Sequence, residues 1–122
     1  MTQIVLWSDL FDESAEFYRA LLEGEIRNAS ESFVEVCADN ACVMLHRVPV
    51  EWVSEISNPP AVREENPIKP VFTVVSIANS RDSVAGGRGS VRPIDTEFVH
   101  GEWLFCDAID PDGNVVQLRQ QA

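Results

Sequence analysis

Basic residues are scarce in this chain. Nine lysines and arginines stand against twenty aspartates and glutamates in 122 residues, a formal net charge of −11. Nucleic acid and anionic membrane surfaces both need a basic footprint, so both are excluded as partners. The acidity serves solubility first. Long apolar runs are also missing. None approaches the roughly 18 residues of a membrane helix. Met1-Thr2-Gln3-Ile4 opens no basic region followed by an apolar stretch, so a cytoplasmic protein without a signal peptide is expected. Cysteine is limited to three residues with no Cys-x-x-Cys spacing, which argues against a disulfide framework or a zinc site. Gly86-Gly87-Arg88-Gly89 lacks the Lys-Ser/Thr of a phosphate loop and reads as a turn. No serine or cysteine nucleophile carries a matched base by spacing.

What is present fits one soluble domain. The apolar fraction of 45% and the charged fraction of 24% are those of an ordinary globule that buries its own core. Ile4 to Trp7 reads as a first strand. Phe11, Ala15, Tyr18 and Leu22 then recur at helical spacing, with Asp12, Glu13 and Glu16 near the helix start and Gly24 as a stop. The runs 32–38 and 41–48 flank Asp39-Asn40, a two-residue hairpin turn whose residues tolerate positive φ.

That hairpin fixes a register. Val34 and Val36 meet Leu45 and Val43 on an aliphatic face that the helix must cover. Phe33, Glu35 and Cys37 meet His46, Met44 and Cys42 on a mixed face suited to a cavity wall. Cys37 and Cys42 fall in a non-hydrogen-bonded pair, where Cα atoms approach most closely. In a reducing cytosol two packed thiols are expected there.

Four prolines between positions 59 and 70 mark a linker. Strand, short helix and strands then recur: 71–75, 79–85, 102–109 and 115–119. Asp110-Pro111-Asp112-Gly113 turns into the last strand, along which Val115, Gln117 and Arg119 share a face. Each half thus reads as strand, helix and about three strands.

Two stretches resemble a known family. Ser8-Asp9-Leu10 through Phe17-Tyr18 is similar to the strand-to-helix passage of the vicinal oxygen chelate superfamily. Asp110 to Leu118 resembles its closing motif. The resemblance implies an α+β fold of two βαβββ modules, 1–56 and 70–122, joined by a linker at 57–69. Each module would curve a mixed sheet around a cleft. Metalloenzymes of that superfamily bind a divalent ion through four cleft positions, the last a glutamate. Here that position is Gln117. The others are Thr2 or Gln3, Met44 or His46, and a first strand at Pro70, Val71 or Phe72 that has no donor. So poor a set implies no metal and no cofactor.

The expected ligand-binding residues are Phe33, Glu35, Met44, His46, Trp103, Gln117 and Arg119, with His100 idle in a loop. The favoured function is a metal-free small-molecule-binding protein of the glyoxalase/bleomycin-resistance type. It would hold an apolar or cationic ligand and form a homodimer. The alternatives are a superfamily enzyme, either a lyase or dioxygenase with a noncanonical metal site or a metal-free epimerase or isomerase with Glu35 or His46 as a general base, and an interaction component with a vestigial cleft.

Overall fold

The computed structural model describes residues 1–53 and 58–122. The boundary expected at 56/57 lies outside the described residues. The chain forms two mixed sheets. The first has strands β1 (Thr2–Ser8), β2 (Glu25–Arg27), β3 (Phe33–Cys37) and β4 (Ala41–Arg47) in the order β1-β4-β3-β2. The second has β5 (Val71–Thr73), β6 (Ser90–Val91), β7 (Phe98–His100), β8 (Trp103–Ile109) and β9 (Val115–Gln121). Its order is β5-β9-β8-β6, with β7 also on β8. β1 runs parallel to β4 and β5 parallel to β9, while the remaining pairs are antiparallel.

Helix α1 (Phe11–Leu22) covers the first sheet and α2 (Ile77–Val84) the second. One apolar core lies beneath both, from Phe11, Tyr18 and Leu21 through Val36, Val43 and Leu45 to Phe72, Ile77, Cys106 and Leu118. Tyr18 and Phe72 meet edge-on at 6.3 Å, and Ser80 Oγ donates to Leu21 O at 2.7 Å, so the two halves share this core. No helix among the described residues is long and apolar enough to cross a membrane.

The hairpin register is the one the alternation predicts, Phe33 to Cys37 against His46 to Cys42. Several boundaries differ from the sequence reading, each for a local reason. Neither Asp39 nor Asn40 takes a positive φ. α1 ends on Glu23 in the left-handed region (φ 52°) rather than on Gly24. Gly24 is required instead by packing, since a Cβ there would stand 2.8 Å from Cys37 O. α2 starts before Asn79 because Ser76 caps it, accepting from Asn79 N at 3.1 Å. β6 and β7 share one edge of β8, interrupted at Pro93, which has no N–H for the ladder and leads into the 3₁₀ turn Ile94–Thr96.

The two expected thiols are corrected. Cys37 and Cys42 form a disulfide at the base of the hairpin. Compartment reasoning favoured thiols, but the two-residue turn sets both side chains side by side on one face. Cys106 is free and buried. Titration of unfolded, unreduced protein should therefore count one thiol, rising to three after reduction; three before reduction would refute the bond.

Candidate functional site

The uncovered face of the first sheet forms one wall. Phe33, Glu35, Met44 and His46 all lie on it, half-buried, while Leu45 and Val43 between them are fully buried under α1. The parallel register adds a residue the sequence reading did not include. Trp7 pairs with His46, and their rings stack at 4.7 Å with planes 21° apart. Phe33 closes on the other side of the imidazole at 5.1 Å. His46 is thus held between an indole and a phenyl ring, and Trp7 remains 60% exposed. The alternation in Thr2–Ser8, with Ile4 and Leu6 facing inward, was the signal for it. Among the described residues no cation pairs with Glu35.

The uncovered face of the second sheet forms another wall. Gln117 pairs with Asp107 across β8–β9 and its Nε2 donates to Asp107 Oδ1 at 3.1 Å. Lys69 Nζ donates to the other oxygen of Asp107 at 3.0 Å. Arg119 lies two pairs along on the same face, with its guanidinium 4.1 Å over the Trp103 ring and its Nε donating to Thr73 Oγ1 at 2.9 Å. Phe105, cross-strand from Arg119, stacks on Phe98 at 5.4 Å. The seven expected residues therefore fall into two groups, one per sheet. No hydrogen bond, ring contact or ion pair among the described residues joins Phe33, Glu35, Met44 or His46 to Trp103, Gln117 or Arg119.

The turn at Asp110–Gly113 fastens the last strand to the first. Asp112 accepts from Ser8 Oγ (2.5 Å), Asp9 N (2.9 Å), Leu10 N (3.3 Å) and Ser14 Oγ (3.1 Å). It supplies from across the chain the anion that α1 lacks at its own N-cap. Buried Asp110 accepts from Tyr18 Oη at 2.6 Å, from Asp112 N and Asn114 N, and from Asn114 Nδ2 at 2.9 Å. Gly113 takes φ +89°, where a Cβ would strike Ala61 O.

This burial perturbs two groups. Desolvation raises the Asp110 carboxyl above its ordinary range, against the hydrogen bonds from Tyr18 and Asn114 that favour its charge. Desolvation, then the Asp110 charge, pushes the Tyr18 phenol well above its usual 10.0. Both folded values are raised, so each contribution to stability is full below the unfolded pKa and is lost as pH rises through the folded one. For Tyr18 the loss begins near pH 10.0. Tyr18 is the sole tyrosine, so an ultraviolet titration reads it directly. The native phenol should ionise well above 10 and return to about 10 in denaturant. A native value near 10 would mean the phenol is not sealed against Asp110.

The donors do not fit a divalent ion. The Gln117 amide is committed to Asp107, whose charge is shared with Lys69. His46 stands between two rings, with Trp7 and Met44 as its strand neighbours. No group of three or more His, Cys, Asp or Glu among the described residues could hold a metal.

No family model matches the chain, and no curated protein matches it in sequence. Its structure is similar to many solved ones. A glyoxalase/bleomycin resistance protein from Albidiferax ferrireducens T118 superposes with a TM-score of 0.70 at 14% identity, over 100% of this chain and 98% of the other. The bleomycin resistance determinant encoded on transposon Tn5 gives 0.64 at 15% identity, over 99% and 97%. The fosfomycin resistance protein FosX from Listeria monocytogenes gives 0.66 at 11% identity, over 100% and 93%. Identities this low speak for architecture alone. The chain has the glyoxalase/bleomycin-resistance fold.

Proposed function

We propose that this protein binds a small molecule without a metal ion, holding an apolar or cationic body against the aromatic wall of the first sheet. One observation carries the reading. Trp7, His46 and Phe33 form a continuous aromatic surface beside Glu35, a carboxylate without an ion-pair partner among the described residues. Aromatic faces attract cations, and a nearby carboxylate adds to that attraction. The net charge of −11 raises the local concentration of cations further. Superfamily enzymes that work through a metal would need a donor set these residues do not offer.

The same reading includes a second copy of the chain. Val5, Trp7, Val71 and Phe98 are each about half exposed or more on the two uncovered faces. Apolar groups so placed favour association. Sedimentation velocity should show a dimer at micromolar protein, and a monomer throughout would remove this part of the proposal.

Thermal melting with benzylamine and with benzyl alcohol tests the ligand class. Both should raise the midpoint, benzylamine more. Glu35→Gln should abolish the difference between them, and Trp7→Ala should weaken both. If neither compound shifts the midpoint at millimolar concentration, the proposal is wrong.

A further inference from the structure

We infer that Arg119 is a recognition residue for an anionic group, a carboxylate or a phosphate, on the ligand. The inference rests on the small-molecule reading above and adds the chemistry of the second wall.

Carboxylates outnumber basic side chains more than two to one in this chain, and four of its eight arginines pair with one. Arg19 pairs with Glu16, Arg27 with Glu25, Arg47 with Asp12 and Arg81 with Glu97. Arg119 does not: no carboxylate among the described residues forms an ion pair with it. Its supports are neutral instead. The face of Trp103 lies 4.1 Å from its guanidinium carbon, and Thr73 Oγ1 takes its Nε–H. The backbone is pinned as well, since Val74 N donates to Arg119 O at 2.9 Å in the parallel β5–β9 register. The side chain is therefore oriented before any anion arrives, and its terminal nitrogens keep the fork that suits a carboxylate or phosphate. Much of the ordering entropy that binding would otherwise cost is already spent.

The surroundings set the size of the group. Arg119 lines a cavity of about 170 Å³ between the β1 and β5 edges, shared with Thr2, Asn40 and Thr73. Drug-sized ligands need roughly 300 Å³ or more, so this space takes one polar group and not a whole molecule. Next to Arg119, Trp103, Phe105 and Phe98 offer aromatic surface for the attached apolar body. The net charge of −11 opposes a polyanion at long range. It opposes a singly or doubly charged group far less, because the local guanidinium dominates within a few ångströms.

Benzoate and phenyl phosphate, with benzylamine as the cationic control, test the inference. The readout is the Arg119 Nε–Hε resonance and the dissociation constant for each compound, on the native protein and on Arg119→Gln. One of the two anions should shift that resonance saturably, and its identity decides between carboxylate and phosphate. Arg119→Gln should weaken that anion by roughly tenfold or more, the scale of a lost charge-assisted pair, and leave benzylamine unchanged. Benzylamine binding with no effect of either anion on Arg119 would overturn the inference and leave the small-molecule reading standing. Equal anion affinity in Arg119→Gln would also overturn it. If none of the three compounds binds, both readings fail. Should Arg119→Gln not fold, the resonance in the native protein still decides.

Discussion

Asp112→Ala should lower the unfolding free energy by roughly 2–4 kcal/mol, as for several buried donors left without their charged acceptor. The carboxylate accepts from two hydroxyls and two backbone N–H groups, and Ser8 and Ser14 are fully buried. Deleting it strands those donors and removes the acceptor that caps the start of α1. Because Ser8 and Asp112 are 104 residues apart, the loss also unfastens the last strand from the first. Asp112→Asn keeps one acceptor oxygen and should fall between the two. Urea unfolding monitored by circular dichroism measures the difference. A loss below about 1 kcal/mol would reduce the contact to the value of an ordinary surface cap.

Gly89→Ala should be comparably damaging, at roughly 2–4 kcal/mol, through overpacking rather than lost hydrogen bonds. A Cβ at Gly89 would stand 2.5 Å from the Phe17 ring and 2.6 Å from Ile109 O. Phe17 is 6% exposed and meets Tyr18 edge-on at 5.3 Å, so displacing its ring disturbs the core. Ile109 belongs to β8, so its carbonyl is fixed by the sheet. The Gly-rich turn is thus a spacer that lets the loop after α2 pass over α1. Gly87→Ala, whose Cβ would meet its nearest neighbour at an ordinary 3.5 Å, is the control and should be nearly silent. Equal effects of the two substitutions would show that Phe17 and β8 yield more than this packing implies.

Local patterns in the sequence carried much of the fold. The β3–β4 register follows from strict alternation around a two-residue turn, and it places Phe33, Glu35, Met44 and His46 on one face without any long-range knowledge. The first helix follows from its apolar spacing. What escaped was set by pairings distant in sequence. Nothing near Asp112 marks Ser8 as its partner, so Asp110-Pro111-Asp112-Gly113 reads as a turn when it also holds the N-terminus of α1. Trp7 reaches His46 only through the parallel β1–β4 pairing, and Lys69 reaches Asp107 only through the path of the linker. The disulfide was missed for a different reason: the geometry was legible, and an assumption about redox environment overruled it. Of the candidate site, the faces were legible and the division between two sheets was not, because strand order depends on contacts across the whole chain.

Binding at the aromatic wall of the first sheet is proposed to need no metal. Protein purified without chelator and incubated with Mn²⁺, Fe²⁺, Ni²⁺ or Zn²⁺ is desalted and its metal content measured by plasma mass spectrometry. No stoichiometric metal is expected with any ion, because the Gln117 amide is tied to Asp107 and no group of three or more His, Cys, Asp or Glu among the described residues could hold one. One metal per chain, lost on His46→Ala or Gln117→Ala, would contradict it and make this chain a candidate metalloenzyme of its fold.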